Sequence, residues 1–127
     1  MSGEEMYREH VLEHYRNPRN FGVLDPADVD ATETNPLCGD EIRITLRVKR
    51  GAVDDVRFSG RGCAVSLASA SLLSEKLKGM RLADVRAMTK DDVVAMLGIP
   101  VSPVRLRCAT LPLDAAKAGI EARPGQT

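Results

Sequence analysis

Cys38, Cys63 and Cys108 are the residues of this sequence best suited to chemistry. They are 25 (63 − 38) and 45 (108 − 63) residues apart, so no pair forms the Cys-x-x-Cys unit of a zinc ribbon or finger. Three cysteines cannot all pair within one chain, and recurring thiols in a reducing compartment are more often core residues, metal ligands or nucleophiles. A shared site would have to be assembled from three distant segments.

The surroundings of these cysteines favour reactive thiols. Cys38 precedes Gly39, which lets the backbone pass close to an ion, and Asp40, which offers an oxygen ligand. Cys63 and Cys108 are each predicted to stand just before a helix, where backbone amides and the helix dipole favour a thiolate. Three sulfurs and one oxygen suit a tetrahedral zinc site, and three sulfurs with a replaceable fourth ligand suit an iron–sulfur cluster. The alternative is that the cysteines are buried small hydrophobes, which the polar neighbours of Cys38 disfavour.

The elements that must position these thiols follow from hydrophobic periodicity. Alternating apolar residues from Ile42 to Val48 predict a half-buried strand, and a second strand follows a turn at Gly51, with an irregularity at Asp54–Asp55. The connection is too short for a crossover, so the pair is antiparallel. Residues 17–40 are predicted to form a long ordered loop with one short polar strand near residues 29–34. Helices are predicted at residues 4–16, 66–78, 89–98 (with a Thr89/Asp92 capping box) and 111–122, after an extended passage at 103–107.

This element order predicts an α+β fold, with helices packed on one face of a small antiparallel sheet. We expect one domain at residues 2–122, followed by a C-terminal tail at 123–127. Eighteen basic residues balance eighteen acidic ones and aromatic residues make up 3%, which argues against nucleic acid as a partner. The polar N-terminus lacks an apolar signal region and no stretch approaches a membrane span, so we expect a cytoplasmic protein without a membrane role.

Other candidate residues have weaker cases. His10 and His14 share a helix face at i, i+4 spacing, but no third ligand is near in the sequence, and a solvated pair is the better interpretation. The acidic pairs at 54–55 and 91–92 are interpreted as structural. Arg107, directly before Cys108, either shields or steers a group bound at that thiol or is an exposed surface arginine. A cysteine-nucleophile enzyme would need a base within hydrogen-bond reach of a thiol, and both histidines lie in the first helix.

Four stretches together carry a resemblance to a known family. They read NPLCGD at 35–40, FSGRGCA at 58–64, RCATL at 107–111 and YRNPRNFG at 15–22. Any one motif alone would be weak, but three cysteine motifs in this order are specific. From about residue 4 to 121 the chain resembles the IscU/SufU/NifU-type iron–sulfur cluster assembly scaffold family.

The resemblance implies a three-stranded antiparallel sheet with helices on one side. It implies that Cys38, Cys63 and Cys108 accept persulfide sulfur from a cysteine desulfurase, hold a nascent cluster (2Fe-2S in type) or zinc, and deliver to apo iron–sulfur proteins or carrier proteins. Asp40 matches the family aspartate that binds zinc and, in IscU-type members, keeps the cluster transferable. Cys38 is our predicted first persulfide acceptor, because its loop is expected to be the most mobile.

The chain departs from both subgroups of that family. IscU-type members have a histidine just before the third cysteine, where this chain has Arg107, as SufU-type members have a basic residue. The SufU-type insertion between the second and third cysteines is missing. The IscU-type chaperone signal Leu-Pro-Pro-Val-Lys is replaced by residues 101–105, VSPVR, which argues against a dedicated Hsp70-type chaperone. A cluster scaffold and a zinc-dependent sulfur acceptor without scaffolding both stay open, and an enzyme is the less favoured class.

Overall fold

A computed structural model describes the backbone of residues 3–123 and the side chains of residues 8–123. Three strands form one antiparallel sheet in the order β1-β2-β3, and the helices follow the sheet in the chain, apart from the first. The elements are α1 (Gly3–Arg16), β1 (Val29–Asn35), β2 (Asp40–Lys49), β3 (Ala52–Arg61), α2 (Ala64–Leu77), α3 (Leu82–Ala87), α4 (Lys90–Leu97) and α5 (Pro103–Ala122). The predicted α+β architecture is confirmed, including the three-stranded sheet that the resemblance implied.

The register of the sheet brings β1 and β3 to the same end of β2. Asn35 at the end of β1 pairs with Asp40, and Arg61 at the end of β3 pairs with Glu41. The predicted irregularity in the second strand is a bulge: Arg47 lies opposite Asp55 and the next residue of β2 lies opposite Val53, so one extra residue stands in β3. The start of the central strand β2 therefore lies at the end of the sheet where the end of β1 and the end of β3 also lie.

The core lies between the inner face of the sheet and the helices. Alternate residues of β2 point inward because successive side chains of a strand face opposite sides. Helices α2 and α5 cover that face, and their small residues let them approach the sheet and each other closely. The buried members of this core include Ile42, Ile44, Leu46, Phe58, Ala70, Leu73, Leu77, Leu111, Ala115, Ala116 and Ile120.

Two helices differ from the prediction. The segment from Pro103 was predicted to be extended, but α5 already begins there, since Ser102 accepts a hydrogen bond from the Arg105 amide (3.3 Å) and a proline fits the first helical turn. Cys108 thus lies inside a helix and not in front of one. The six-residue α3 was not predicted. By contrast, the Thr89/Asp92 capping box of α4 is confirmed, with both reciprocal hydrogen bonds present.

Helix α1 is held against α2 by a buried histidine. The prediction that His14 is solvated is wrong: the side chain is only 3% exposed, and Nδ1 lies 2.7 Å from the Ser71 hydroxyl. Burial is the main reason that the pKa of His14 is lowered. Ser71 also accepts a hydrogen bond from the Arg19 amide (2.8 Å), so one hydroxyl joins α2 to both the helix and the loop after it.

Across the described residues 3–123, no helix is both long and apolar enough to cross a membrane. Helix α5 ends at Ala122. Residues 124–127 of the predicted tail and residue 2 at the predicted start lie outside the described residues, so the division of the chain at 122 stays a prediction.

Candidate metal centre

The turn between β1 and β2 presents Cys38. The carbonyl of Asn35 accepts hydrogen bonds from the amides of Cys38 (3.1 Å) and Gly39 (2.8 Å). Gly39 has a φ of +71°, a left-handed conformation that a glycine adopts without steric cost. This turn leaves Cys38 exposed. Leu37 beside it is 82% exposed, so the surface around the thiol is partly apolar.

Asp40 and Cys63 are joined directly. Asp40 opens β2 and is 1% exposed, and its Oδ1 accepts a hydrogen bond from the Cys63 amide at 2.9 Å. Cys63 is the N-cap residue of α2, and its own side chain makes no capping hydrogen bond. The Asp40 carboxylate therefore partly takes the place of a cap at this helix start, where a negative charge is favourable. Its other oxygen lies 4.0 Å from the Cys63 sulfur.

Gly62 makes this contact possible. A Cβ placed on Gly62 would lie 2.6 Å from Asp40 Oδ1 and would also overlap the Ser66 hydroxyl. Any side chain at this position would push the carboxylate away from the Cys63 amide. The glycine that precedes the second cysteine is thus required by packing at the site.

Cys108 completes a trio of ligand atoms. The side chain is buried, and its sulfur lies 3.5 Å from the Cys38 sulfur and 3.7 Å from the Asn35 Nδ2 donor. The ligand atoms of Cys38, Asp40 and Cys108 all lie within 4.8 Å of one another. Cys63 does not belong to this trio, but it approaches it through its contact with Asp40. The fold brings the predicted residues to one place from three segments of chain.

The donor set fits zinc or an iron–sulfur centre. In a tetrahedral zinc site with Zn–S bonds of about 2.3 Å, sulfur atoms are ~3.8 Å apart, close to the separation of Cys38 and Cys108. Three cysteine sulfurs with one further ligand also suit an iron–sulfur cluster, because cysteine thiolates are its usual ligands. Asn35 Oδ1 is a buried acceptor without a hydrogen-bond partner among the described residues, so the site holds a polar atom that the protein itself leaves unmatched.

Two of the thiols differ sharply in acidity. Burial raises the pKa of Cys63, but hydrogen bonds from the Ser66 amide and hydroxyl outweigh it, and the net pKa is lowered. Burial is also the largest influence on Cys108, where hydrogen bonds with Asp40 and Cys38 act in the same direction, so the pKa of Cys108 is raised. The predicted low pKa of Cys108 from a helix N-terminus is therefore wrong, because the residue lies inside α5.

Ser66→Ala should make Cys63 less reactive in the metal-free protein. Loss of the hydroxyl 3.8 Å from the sulfur removes one hydrogen bond that favours the thiolate, so the pKa of Cys63 should rise. Alkylation of Cys63 by iodoacetamide at neutral pH should become severalfold slower, and its pH midpoint should move upward. Labelling of Cys38 in the same sample serves as the internal control. An unchanged Cys63 profile would contradict the assigned role of Ser66.

Arg105 is a residue of the site that the sequence interpretation missed. Attraction to the Cys63 sulfur, together with contacts to Cys108, raises the pKa of Arg105. Arg107, the predicted candidate for this role, is exposed, and its charge acts on Asp114. Had the helix been recognised from Pro103 onward, i, i+3 spacing would have placed Arg105 on the face of Cys108.

The remaining candidates lie outside the site. His10 and His14 stack edge to face with ring centroids 4.7 Å apart on α1, and His14 is bound to Ser71. Asp55 forms ion pairs with Arg57 and Lys78, and Asp92 belongs to a capping box. The described contacts of the three thiols include no histidine, so a cysteine-nucleophile enzyme is not favoured.

Comparison with known proteins agrees with this geometry. The family model described as NifU-like N terminal domain matches residues 6–127. The zinc-dependent sulfurtransferase SufU of Bacillus subtilis is 34% identical, covering 96% of this chain and 94% of the relative. The iron–sulfur cluster assembly scaffold protein IscU of Escherichia coli is 37% identical, covering 90% of this chain and 91% of the relative.

A solved structure supports the fold. The N-terminal NifU-like protein from Brucella abortus superimposes with a TM-score of 0.76, covering 94% of this chain and 96% of that one, at 24% identity. With the fold, the cysteine–aspartate site and the family match all in place, the chain belongs to the NifU-like N-terminal domain family, which includes SufU and IscU relatives.

Proposed function

We propose that this protein accepts persulfide sulfur from a cysteine desulfurase and holds a nascent iron–sulfur cluster or zinc for transfer to apo-proteins. The observation that carries the proposal is the convergence of ligand atoms from Cys38, Asp40 and Cys108 within 4.8 Å, with Cys63 joined to them through Asp40. Relatives that match over at least 90% of both chains are named a cluster scaffold and a zinc-dependent sulfurtransferase.

Cys38 is the proposed entry point for sulfur, because it is exposed whereas Cys63 is half-buried and Cys108 is buried. Its thiolate attacks the outer sulfur of the desulfurase persulfide. A new S–S bond forms on Cys38, the S–S bond of the desulfurase breaks, and the desulfurase leaves as a thiolate. The proton lost by the Cys38 thiol is returned to the released thiolate, so the exchange needs no external oxidant or reductant.

The other side chains of the site hold and stabilise the sulfur or metal that is bound at Cys38. Cys108 lies 3.5 Å from the Cys38 sulfur, so cargo bound at Cys38 is within its reach. Arg105 brings a positive charge to Cys63 and Cys108, which offsets the negative charge that accumulates when thiolates and sulfide collect in one place. Asp40 fixes the Cys63 amide, and zinc, when bound, would keep its thiol ligands deprotonated.

Mass spectrometry tests the entry point. The protein is incubated with a desulfurase and free cysteine, reactive sulfurs are capped, and each cysteine-containing peptide is analysed. Cys38 should gain the mass of one sulfur atom, and a parallel sample without desulfurase should not. Added sulfur only on Cys63 or Cys108 would refute the assignment.

A second candidate function is zinc-dependent sulfur acceptance without cluster assembly. Arg107 stands where IscU-type relatives have a histidine, and the SufU relative is named for zinc dependence. Anaerobic reconstitution with ferrous iron, desulfurase and cysteine separates the two. Visible charge-transfer absorption at one cluster per chain or dimer favours the scaffold, whereas colourless protein that retains zinc and still carries persulfide favours the acceptor.

The partners and location are part of the same proposal. A cysteine desulfurase supplies the sulfur, and apo iron–sulfur proteins or carrier proteins receive the product. The unpaired thiols are consistent with a reducing cytoplasm. A dedicated Hsp70-type chaperone is not included, because residues 101–105 lack the chaperone signal of IscU-type members.

A further inference from the structure

Three arginines line a cavity at the end of the sheet opposite the thiols. The cavity has a volume of about 390 Å³ and is lined by Arg50, Gly51, Arg81, Ala83 and Arg86; we call it the arginine cavity. Strand β2 spans Asp40–Lys49, so the arginine cavity lies roughly 30 Å from the thiols at about 3.3 Å per residue. The proposed sulfur chemistry makes no use of it.

The scaffold fixes the arginines relative to one another. The Leu82 amide donates a hydrogen bond to the Gly51 carbonyl (2.9 Å), and Ala52 forms a bridge with Arg81. The hairpin turn is thereby attached to the start of α3. The Arg81 guanidinium lies over the Gly51 backbone, 3.8 Å from where a Cβ would stand. These contacts hold the backbones that carry Arg50 and Arg81 side by side, and both side chains line the arginine cavity.

Like charges gathered in this way repel each other unless something compensates. Arg19, Arg43 and Arg57 each have a carboxylate oxygen within 2.8 Å. Within residues 8–123, no carboxylate lies at ion-pair distance from Arg50 or Arg81, and Arg86 is paired with Glu121 at 3.4 Å. Arg50 and Arg81 are both exposed, so at the arginine cavity two of the three guanidinium groups have N–H donors accessible to a ligand.

The backbone of Arg50 points to the same conclusion. Its φ is +55°, and that of Gly51 is +76°, the pattern of a tight hairpin turn that asparagine followed by glycine adopts most readily. A long side chain with a Cβ is a costly choice there. A residue held in an unfavourable conformation is a reason to look for a function of its side chain.

We propose that the arginine cavity binds a small solute bearing a phosphate group. Guanidinium groups present planar forks of N–H donors, and a phosphate has enough oxygens to accept from more than one fork, whereas a carboxylate has only two. The cavity volume is in the range that holds small ligands. The proposal is independent of the site at Cys38, and neither depends on the other.

Calorimetry with pyrophosphate as the probe tests this, using the full chain at low, constant ionic strength. Saturable binding is expected, with at least tenfold weaker affinity for Arg50→Asn and Arg81→Gln. Asparagine suits the left-handed conformation at position 50, so that variant should fold at least as well as the native protein. Arg43→Gln removes the same charge seven residues earlier on β2 and should bind as the native protein does.

Two further measurements distinguish phosphate binding in the arginine cavity from binding elsewhere or binding of any anion. Amide NMR shifts on titration should be confined to residues around 49–52 and 81–86, and citrate at equal ionic strength should bind more weakly than pyrophosphate. Absence of saturable binding, equal weakening by Arg43→Gln, or shifts centred on residues 35–40 would overturn the arginine cavity as the site. Tighter binding of citrate would overturn the assignment of a phosphate group. None of these results would bear on persulfide acceptance by Cys38.

Discussion

Cys38→Ala is expected to lower zinc affinity by about two orders of magnitude. Structural zinc sites contribute about 10–16 kcal/mol from four ligands, so each ligand accounts for roughly 3 kcal/mol, or about a hundredfold in affinity. Cys38 lies with Asp40 and Cys108 in one ligand-atom trio, and its removal leaves that trio one sulfur short. Competition with a chelating dye measures the affinity, and the same variant should fail to accept persulfide.

Leu37→Ala is the matched control for this prediction. Leu37 occupies the same turn and is 82% exposed, but it carries no ligand atom. Its replacement should leave zinc affinity within about twofold, because surface substitutions away from specific contacts have small effects. Equal zinc affinity in Cys38→Ala and the native protein would remove Cys38 from the metal centre.

Gly60→Ala is expected to be the most destabilising of these substitutions. Gly60 pairs with Ile42 on the central strand β2, and a Cβ on it would overlap the carbonyl oxygen of Glu41. Its φ of +139° is also rare for residues with a side chain. Overpacking and backbone strain each cost about 1–3 kcal/mol, so the free energy of unfolding should fall by roughly 2–6 kcal/mol. Urea denaturation measures the change.

Gly79→Ala provides the comparison for Gly60→Ala. Gly79 also has a positive φ, +85°, but a Cβ there would meet nothing within 4 Å. Only the conformational cost remains, about 1–2 kcal/mol. If both variants lost the same stability, close packing between β2 and β3 at Gly60 would not be the cause. Gly60 lies three residues before Cys63, so zinc affinity should fall in Gly60→Ala and not in Gly79→Ala.

Local patterns in the sequence predicted the elements in which one signal dominates. Alternation from Ile42 to Val48 defined β2, and Thr89 with Asp92 defined the start of α4. The start of α5 failed because Pro103 was interpreted as a break, although a proline preceded by a capping Ser102 is compatible with a first helical turn. That error moved Cys108 out of its helix and concealed Arg105.

The site itself was accessible from the sequence only in part. Spacing alone left open whether three cysteines 25 and 45 residues apart meet, and the family resemblance supplied that expectation. The hydrogen bond between Asp40 and the Cys63 amide depends on the register that places Arg61 opposite Glu41, which no local pattern encodes. The roles of Ser66 and Asn35 likewise arise from tertiary packing.

The placement of the ligands on separate segments has a mechanical consequence. An ion shared by Cys38, Cys63 and Cys108 would close two loops, of 25 and 45 residues, and act as a removable cross-link between a turn, the N-cap of one helix and the interior of another. Release of the bound ion would remove the links between all three segments at the same time. Loss of the ion and local opening of this end of the molecule would then occur together. The rate of amide hydrogen exchange near Cys38 should therefore differ between the ion-bound and ion-free protein.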